Sequence, residues 1–414
     1  MGVDMPNIRN PFTPGAGHTP PYLAGRDSET AEFTKLLDQD VVRSNVVLTG
    51  LRGVGKTVLL DQWKPVAINQ RWLWVGTDLS ESASISEESL VIRLLTDLSV
   101  VTSGIVLSKP IPTVGFSGQP SLVEHPLTYD RLLELYRSTP GLVSDRLKQI
   151  LGFVWQCIHQ HGFRGIIFAY DEAQTMSDHV KKEQFPLALL LDVFQSLQRQ
   201  KIPFMLVLVG LPTLFPKLVE SRTFAERMFV VITLARLTDK DSKEAIVRPI
   251  KLSECPFSID EPSIAVIVSV SGGYPYFIQF VCREVFDLFL QKYNVGEPVV
   301  PVPIEAITRK LDKDFFSGRW AKATDRQRQL LSVISTLENC DEEFTVQEIV
   351  EKAKALTNPF SGSHVNQMLV VLSDAGLIYK NRHGRYAFAV PLLGRFVRRQ
   401  DAEAIQGPHP VSRF

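Results

Sequence analysis

The sequence predicts an α/β fold, a parallel sheet covered by helices, followed by a helical region and a C-terminal winged helix. Three observations carry this reading. Short apolar runs bounded by turn residues read as five buried strands: SNVVLTG (44–50), WLWVGTDL (72–79), GIIFAYDEAQ (165–174), PFMLVLVGLP (203–212) and FVVITL (229–234). Helical patterns fill the intervals, and strands alternating with helices imply a parallel sheet. From Thr324 onward, three helical segments precede a strand–turn–strand pattern, LIYKNRHGRYAFAV (377–390).

Each segment follows from its residues. Residues 1–24 are rich in Pro and Gly and read as an extended leader, with its Phe and Tyr available as anchors. From Asp27, the spacing of Ala31, Phe33, Leu36 and Leu37 predicts an amphipathic helix. A glycine-rich turn joins the first strand to the helical run TVLLDQW, and SEESLVIRLLTDL (86–98) predicts a further helix. Residues 101–125 carry only Lys109 and Glu124 as charges, with several Pro, Gly and β-branched residues. They read as an insertion that suits a β-hairpin, either a packed excursion or a binding element. Helices are expected at about 142–161 and 186–199.

After Leu237 the pattern is helical, with segments starting at Asp239, at 261–270, and after GGYP (272–275). The expected division is therefore a leader (1–24), an α/β core (25–237, with the 101–125 insertion), a helical lid (238–320), a winged helix (321–400) and a tail (401–414). The winged-helix helices are expected at 325–337, at 345–355, and from Ser363 to just before Gly376.

Composition narrows the function. The chain has 414 residues, room for two or three domains. Apolar residues make up 44% and charged residues 22%, ordinary globular values that exclude wholesale disorder. Lys+Arg and Asp+Glu are equal at 45 each, which excludes a uniformly basic coat for nucleic acid but not a local basic patch. Cys157, Cys255, Cys282 and Cys340 are scattered without CxxC spacing, so they read as reduced core thiols. No signal-peptide shape or membrane-length apolar stretch occurs, and a cytoplasmic location is expected.

The motif with the most chemical content is Gly50-Leu51-Arg52-Gly53-Val54-Gly55-Lys56-Thr57. It matches GxxxxGK[ST] between a predicted strand and a predicted helix. Its glycines let successive N–H groups curl around phosphate oxygens, and the helix N-terminus adds positive potential. Gly50, Gly53, Val54, Gly55, Lys56, Thr57 and Val58 are the candidate nucleotide contacts. Lys56 would reach the β- and γ-phosphates, and Thr57 would hold Mg²⁺.

The second motif is IIFAYDEAQ, which ends a predicted strand in Asp171 and Glu172. Ligands of α/β sheets bind at that edge. Asp171 is the candidate second metal ligand and Glu172 the candidate base for an attacking water. Thr213 is the nearest hydroxyl after the fourth strand. Arg222 and Arg227, before the fifth, compete as a finger acting across a subunit interface; pairing on a solvated face is the alternative. Tyr274 and Pro275, at a helix start in the lid, are candidates for contact with the nucleotide base.

Together these residues resemble the AAA+ ATPases (the ASCE type of P-loop NTPase), in particular a bacterial single-chain group near the origin-recognition initiators and the STAND signalling ATPases. The segment LAGRD before the first helix is similar to the opening of that group. The resemblance implies a sheet of order 5-1-4-3-2 and a helical lid. It also implies that Gly273-Tyr274-Pro275 is the GxP element that lies against adenine in STAND proteins. Two departures stand out: Pro275 occupies the region of the usual sensor-2 arginine, and no sensor-1 asparagine follows the fourth strand. Slow, switch-like use of ATP fits this pattern.

In the C-terminal module, Lys380, Arg382, Arg385, Arg395, Arg398 and Arg399 are uncompensated by any acidic residue between Ala375 and Gln400. Lys380, Arg382, His383 and Arg385 stand where a wing touches phosphates. The third helix offers only Ser363, His364, Asn366 and Gln367 to base edges, which argues against strong sequence specificity. A winged helix used for protein contacts is the other reading.

The expected function is thus an ATPase switch that couples nucleotide state to homo-oligomeric assembly and, through its winged helix, to duplex DNA. The alternative is a nucleotide-gated scaffold that recruits or silences an unknown protein partner without DNA. A defence or mobile-element role for that partner rests on family analogy alone.

Overall fold

A computed structural model describes residues 8–15, 17–39, 41–111, 121–255, 257–297, 301–382 and 384–406. The chain divides into two compact units: residues 26–50 with 56–233, and residues 1–25, 51–55 and 234–414.

In the first unit the elements run α1 (Asp27–Leu37), β1 (Asn45–Gly50), α2 (Lys56–Asn69), β2 (Trp72–Val75), α3 (Glu87–Thr102), β3 (Val106–Ile111), β4 (Ser121–Pro126), α4 (Tyr129–Ser138), α5 (Val143–His159), β5 (Gly165–Tyr170), α6 (Pro186–Arg199), β6 (Phe204–Gly210), α7 (Leu214–Ser221), α8 (Ala225–Met228) and β7 (Phe229–Leu234). The five long-range strands form one parallel sheet of order β2-β5-β6-β1-β7. Counted along the chain this is 2-3-4-1-5, the order that the family resemblance implies. Register is fixed by pairs such as Val47 with Leu208 and Phe168 with Leu206.

β1, β5 and β6 are buried along their whole length, which is why they are continuous apolar runs rather than alternating ones. One core joins their side chains to the apolar faces of α3, α5 and α6, including Leu94, Leu151 and Phe194. Ser86 caps α3 by accepting from Ser89 N at 3.1 Å.

Within the expected insertion, α3 extends to Thr102, and β3 and β4 form an antiparallel hairpin. Its tip, 112–120, lies outside the described residues. The helices α4 and α7, like the single turn α8, are absent from the sequence-based reading. α4 and α7 are short amphipathic segments beside turn residues, where periodicity has few turns to register.

The second unit contains α9 (Asp239–Leu252), α10 (Glu261–Ser271), α11 (Pro275–Asn294), α12 (Ile304–Leu311), a π-turn (Asp312–Phe316), α13 (Ser317–Trp320), α14 (Asp325–Ser335), α15 (Val346–Ala353), α16 (Gly362–Asp374), β8 (Ile378–Arg382), β9 (Arg385–Phe388) and α17 (Leu393–Gln406). Thr324 and Thr345 each close a capping box, with Gln327 and Glu348, and so fix where α14 and α15 begin. β8 and β9 pair antiparallel as the wing.

α17 adds a fourth helix beyond the expected three. It continues to Gln406, through the start of the segment expected as a tail, and Ser332 Oγ of α14 donates to its Asp401 Oδ2 at 2.6 Å. The lid helices and the winged helix share one hydrophobic core, in which Phe316 stacks on Phe396 at 5.1 Å. The leader forms neither helix nor strand where it is described, yet it is anchored here. Phe12 is buried against Phe286, and the Tyr22 hydroxyl donates to Glu244 Oε2 at 2.8 Å.

Candidate functional site

The phosphate-loop motif runs from the end of β1 to the first turn of α2. Gly53 (φ 78°) and Gly55 (φ 93°) both take left-handed conformations that a side chain would strain. A Cβ on Gly55 would meet no atom within 4 Å, so its backbone faces open space, as a cradle for an anion requires. Gly53 is confined differently: its carbonyl accepts from Tyr276 N at 3.1 Å, and a Cβ there would fall 3.0 Å from Tyr276 Cβ. Val54 is buried; Val58 is partly exposed on α2. Lys56 Nζ donates to Gly50 O at 3.0 Å, folding the ammonium back over its own loop.

β5 delivers the carboxylates. Its last residue, Tyr170, is fully buried, and its hydroxyl donates to Asp97 Oδ2 at 3.0 Å, while Arg93 pairs with the same carboxylate. Burial pushes the Tyr170 phenol well up, so this donor stays protonated. The anchor fixes the strand end from which the next residue emerges.

Asp171 is 5% exposed, and its Oδ2 accepts from Thr57 Oγ1 at 2.5 Å. Its Oδ1 accepts from Glu172 N at 2.7 Å, and its carbonyl accepts from Leu79 N at 2.9 Å. Thr57 and Asp171 therefore present two hard oxygen donors side by side, a pairing that fits Mg²⁺. Glu172 is exposed and left-handed (φ 53°), with its carboxylate accepting from Gln174 Nε2.

The remaining candidates separate. Arg222 forms a two-point pair with Asp192, Nε to Oδ1 at 2.9 Å and Nη2 to Oδ2 at 2.8 Å. That pairing raises the guanidinium pKa further. Arg227 is exposed on α8 and has no side-chain hydrogen bond or ion pair among the described residues. Thr213 stands at the N-terminus of α7.

Tyr274 is the N-cap of α11 and Pro275 its first residue. Burial raises the Tyr274 phenol pKa, with Arg236 and Arg395 opposing and Asp341 adding to the shift. Gly273 (φ 76°) leaves no room for a side chain, since a Cβ would lie 2.7 Å from Leu237 O.

The basic C-terminal run does not form one outward face. Arg395 Nη1 donates to Ser269 O at 2.8 Å, Arg398 reaches Ser335 O, and Arg399 pairs with Asp312. On the wing, Arg382 pairs with Glu343 at 2.7 Å, and Arg385 lies in the field of Glu343 and Glu348. The compensating carboxylates come from elsewhere in the sequence, which a local charge count misses. Lys380 is exposed, and His383 lies outside the described residues. On α16, Ser363, His364, Asn366 and Gln367 are exposed, but so are Val370 (59%) and Val371 (51%).

Sequence reasoning did not single out Gln174, Lys217 or Asp192. Only Gln174 carried a signal, its place two residues after Glu172.

Comparison with known proteins adds the following. A family model described as a domain of unknown function (DUF8462) matches residues 313–397. No curated protein sequence matches the chain. Among solved structures, the Walker-type ATPase PABY2304 of Pyrococcus abyssi is similar with a TM-score of 0.56 at 16% identity, covering 91% of this chain and 96% of its own. The ORC2 protein of Aeropyrum pernix in ADPNP–ADP complexes has a TM-score of 0.55 at 11% identity, covering 96% and 99%. Its ADP form gives 0.54 at 13%, covering 93% and 97%. The chain thus has the AAA+ P-loop ATPase fold, resembling ORC-type proteins and Walker-type ATPases over nearly its full length.

Proposed function

We propose that this protein is a MgATP-dependent molecular switch that hydrolyses ATP slowly. The observation that carries the reading is the Thr57–Asp171 pair beside the glycine loop, with Glu172 exposed next to it. Lys56 binds the β- and γ-phosphates, and the loop N–H groups hold the phosphate oxygens. Thr57 and Asp171 would hold Mg²⁺, which when bound would supply charge neutralisation for the phosphates. Glu172 accepts the proton of the attacking water. Tyr274 and Pro275 stand for the base. The ORC2 structures, solved as complexes with ADP and ADPNP, support adenine nucleotide as the ligand.

The nucleotide state is read out through assembly and the winged helix. Arg227 is the better finger for a neighbouring subunit, because Arg222 is already held by Asp192. Duplex DNA would meet Lys380, Arg382 and Arg385 together with the N-terminus of α16. A second reading, a protein partner in place of DNA, is favoured by Val370 and Val371 exposed on α16 and by Glu343 holding Arg382.

The deciding experiment is ATP turnover with and without duplex DNA, with Glu172→Gln as the blank. Turnover that rises with DNA supports DNA coupling. Turnover indifferent to DNA supports the partner reading. No nucleotide binding at all would sink the switch.

A further inference from the structure

We propose that Gln174 is a positioning residue that ties the carboxylate of Glu172 to the end of β6. The inference rests on the reading of Glu172 as the base. Gln174 lies in the 3₁₀ turn Ala173–Thr175, directly after the two carboxylates.

Three of its polar groups have separate partners. Side-chain Nε2 donates to Glu172 Oε2. Side-chain Oε1 accepts from Leu211 N at 3.1 Å, and the backbone carbonyl accepts from Lys217 Nζ at 2.7 Å. The strand end is shaped for this contact, since a Cβ on Gly210 would lie 2.5 Å from Gln174 Oε1. A glutamine suits the task because one end of its amide donates to a carboxylate while the other accepts from a backbone N–H. Asparagine has the same groups on a shorter stem.

The consequence concerns polar side chains in the loop after β6. Leu211 and Pro212 offer none, and Thr213, the N-cap residue of α7, makes no side-chain cap hydrogen bond there. Here it is the backbone of the loop, through Leu211 N, that connects to the base. One oxygen of Glu172 is held and the other is left to take the proton. A shift of the loop therefore moves Glu172, and Lys217 on α7 braces the same glutamine from behind.

The test compares Gln174→Leu and Gln174→Glu with the wild type, using Glu172→Gln as the blank. ATP turnover is measured over a range of ATP concentrations, and hydrogen exchange is followed at Leu211. Gln174→Leu should lower kcat about tenfold or more, part of the roughly 10²–10⁴ that a positioned base supplies, and leave KM within about twofold. Gln174→Glu keeps an acceptor for Leu211 but loses the donor to Glu172 and repels it. It should lose kcat while Leu211 stays protected.

A glutamine that merely braces the loop would give the other split, an active Gln174→Glu and a Gln174→Leu with raised KM. That result, or full kcat in both variants, overturns the proposal while an inactive Glu172→Gln keeps the base reading. An active Glu172→Gln removes the base reading, and the proposal falls with it. If the wild type turns over no ATP, Leu211 exchange decides. Glu172→Ala should speed it if Gln174 links the two, and an unchanged rate overturns the link.

Discussion

Thr57 Oγ1 donates to Asp171 Oδ2 at 2.5 Å, joining the first turn of α2 to the residue that follows β5. The sequence places these two residues 114 positions apart. The parallel sheet brings them together because β1 and β5 flank β6 and end at the same edge. Thr57→Ala and Asp171→Asn should each raise the Mg²⁺ concentration needed for half-maximal ATP binding, by about 10–100-fold if they are direct ligands or ligand supports. Calorimetric titration of Mg²⁺ and ATP checks this, and unchanged Mg²⁺ dependence in both variants would reject the metal assignment.

Lys56→Ala should abolish ATP binding and turnover, because the loop glycines alone leave the phosphate charge poorly compensated. Glu172→Gln should bind ATP with wild-type affinity and fail to release phosphate. If assembly follows the ATP state, Glu172→Gln with ATP should also enrich the oligomer in sedimentation, and Lys56→Ala should not. Retained turnover in Lys56→Ala would reject the phosphate-loop reading.

The two arginines before β7 should respond differently. Arg222→Ala removes a half-exposed pair with Asp192 and should cost roughly 0.2–1 kcal/mol of stability, seen as a small fall in Tm. Arg227→Ala should leave Tm unchanged and reduce turnover of the assembled protein by about 10³-fold if it is the finger. Mixing Arg227→Ala with Lys56→Ala subunits should restore part of the activity, because each supplies what the other lacks. No recovery on mixing would place the finger elsewhere.

Glu343 gives a pH prediction on the wing. The Arg382 guanidinium holds its carboxyl below the ordinary value of 4.5, with Asn381 assisting and partial burial opposing. A pKa depressed by folding means that the pair stabilises the wing above about pH 4.5 and that this contribution fades as pH falls through the folded value. Arg382→Ala should move the Glu343 titration upward, read by NMR. If the wing binds DNA, Glu343→Gln should free Arg382, strengthen binding and steepen its salt dependence. An unchanged salt slope would count for the protein-partner reading.

Val370 and Val371 provide the complementary test. Replacing both with Ser should leave Tm nearly unchanged, since both are more than half exposed. It should weaken capture of a protein partner while leaving any DNA affinity intact. Loss of DNA binding instead would place these valines in the groove.

The sequence by itself determined the strands, the glycine-rich loop that opens α2 and the paired carboxylates after β5. Buried parallel strands must be apolar throughout, and a loop that wraps phosphate must carry glycine at fixed spacing, so both leave local marks. The starts of α14 and α15 are set locally as well, because the capping boxes at Thr324 and Thr345 act within four residues.

What only the tertiary structure decided is the set of relationships between distant side chains. Asp192 claims Arg222, and in the basic run that looks uncompensated along the chain Glu343 claims Arg382 and Asp312 claims Arg399. Gln174 likewise becomes meaningful only when Leu211 lies beside it. Charge and hydrogen bonding act over a few ångströms of space, and no periodicity along the chain encodes which distant partner will fill that distance.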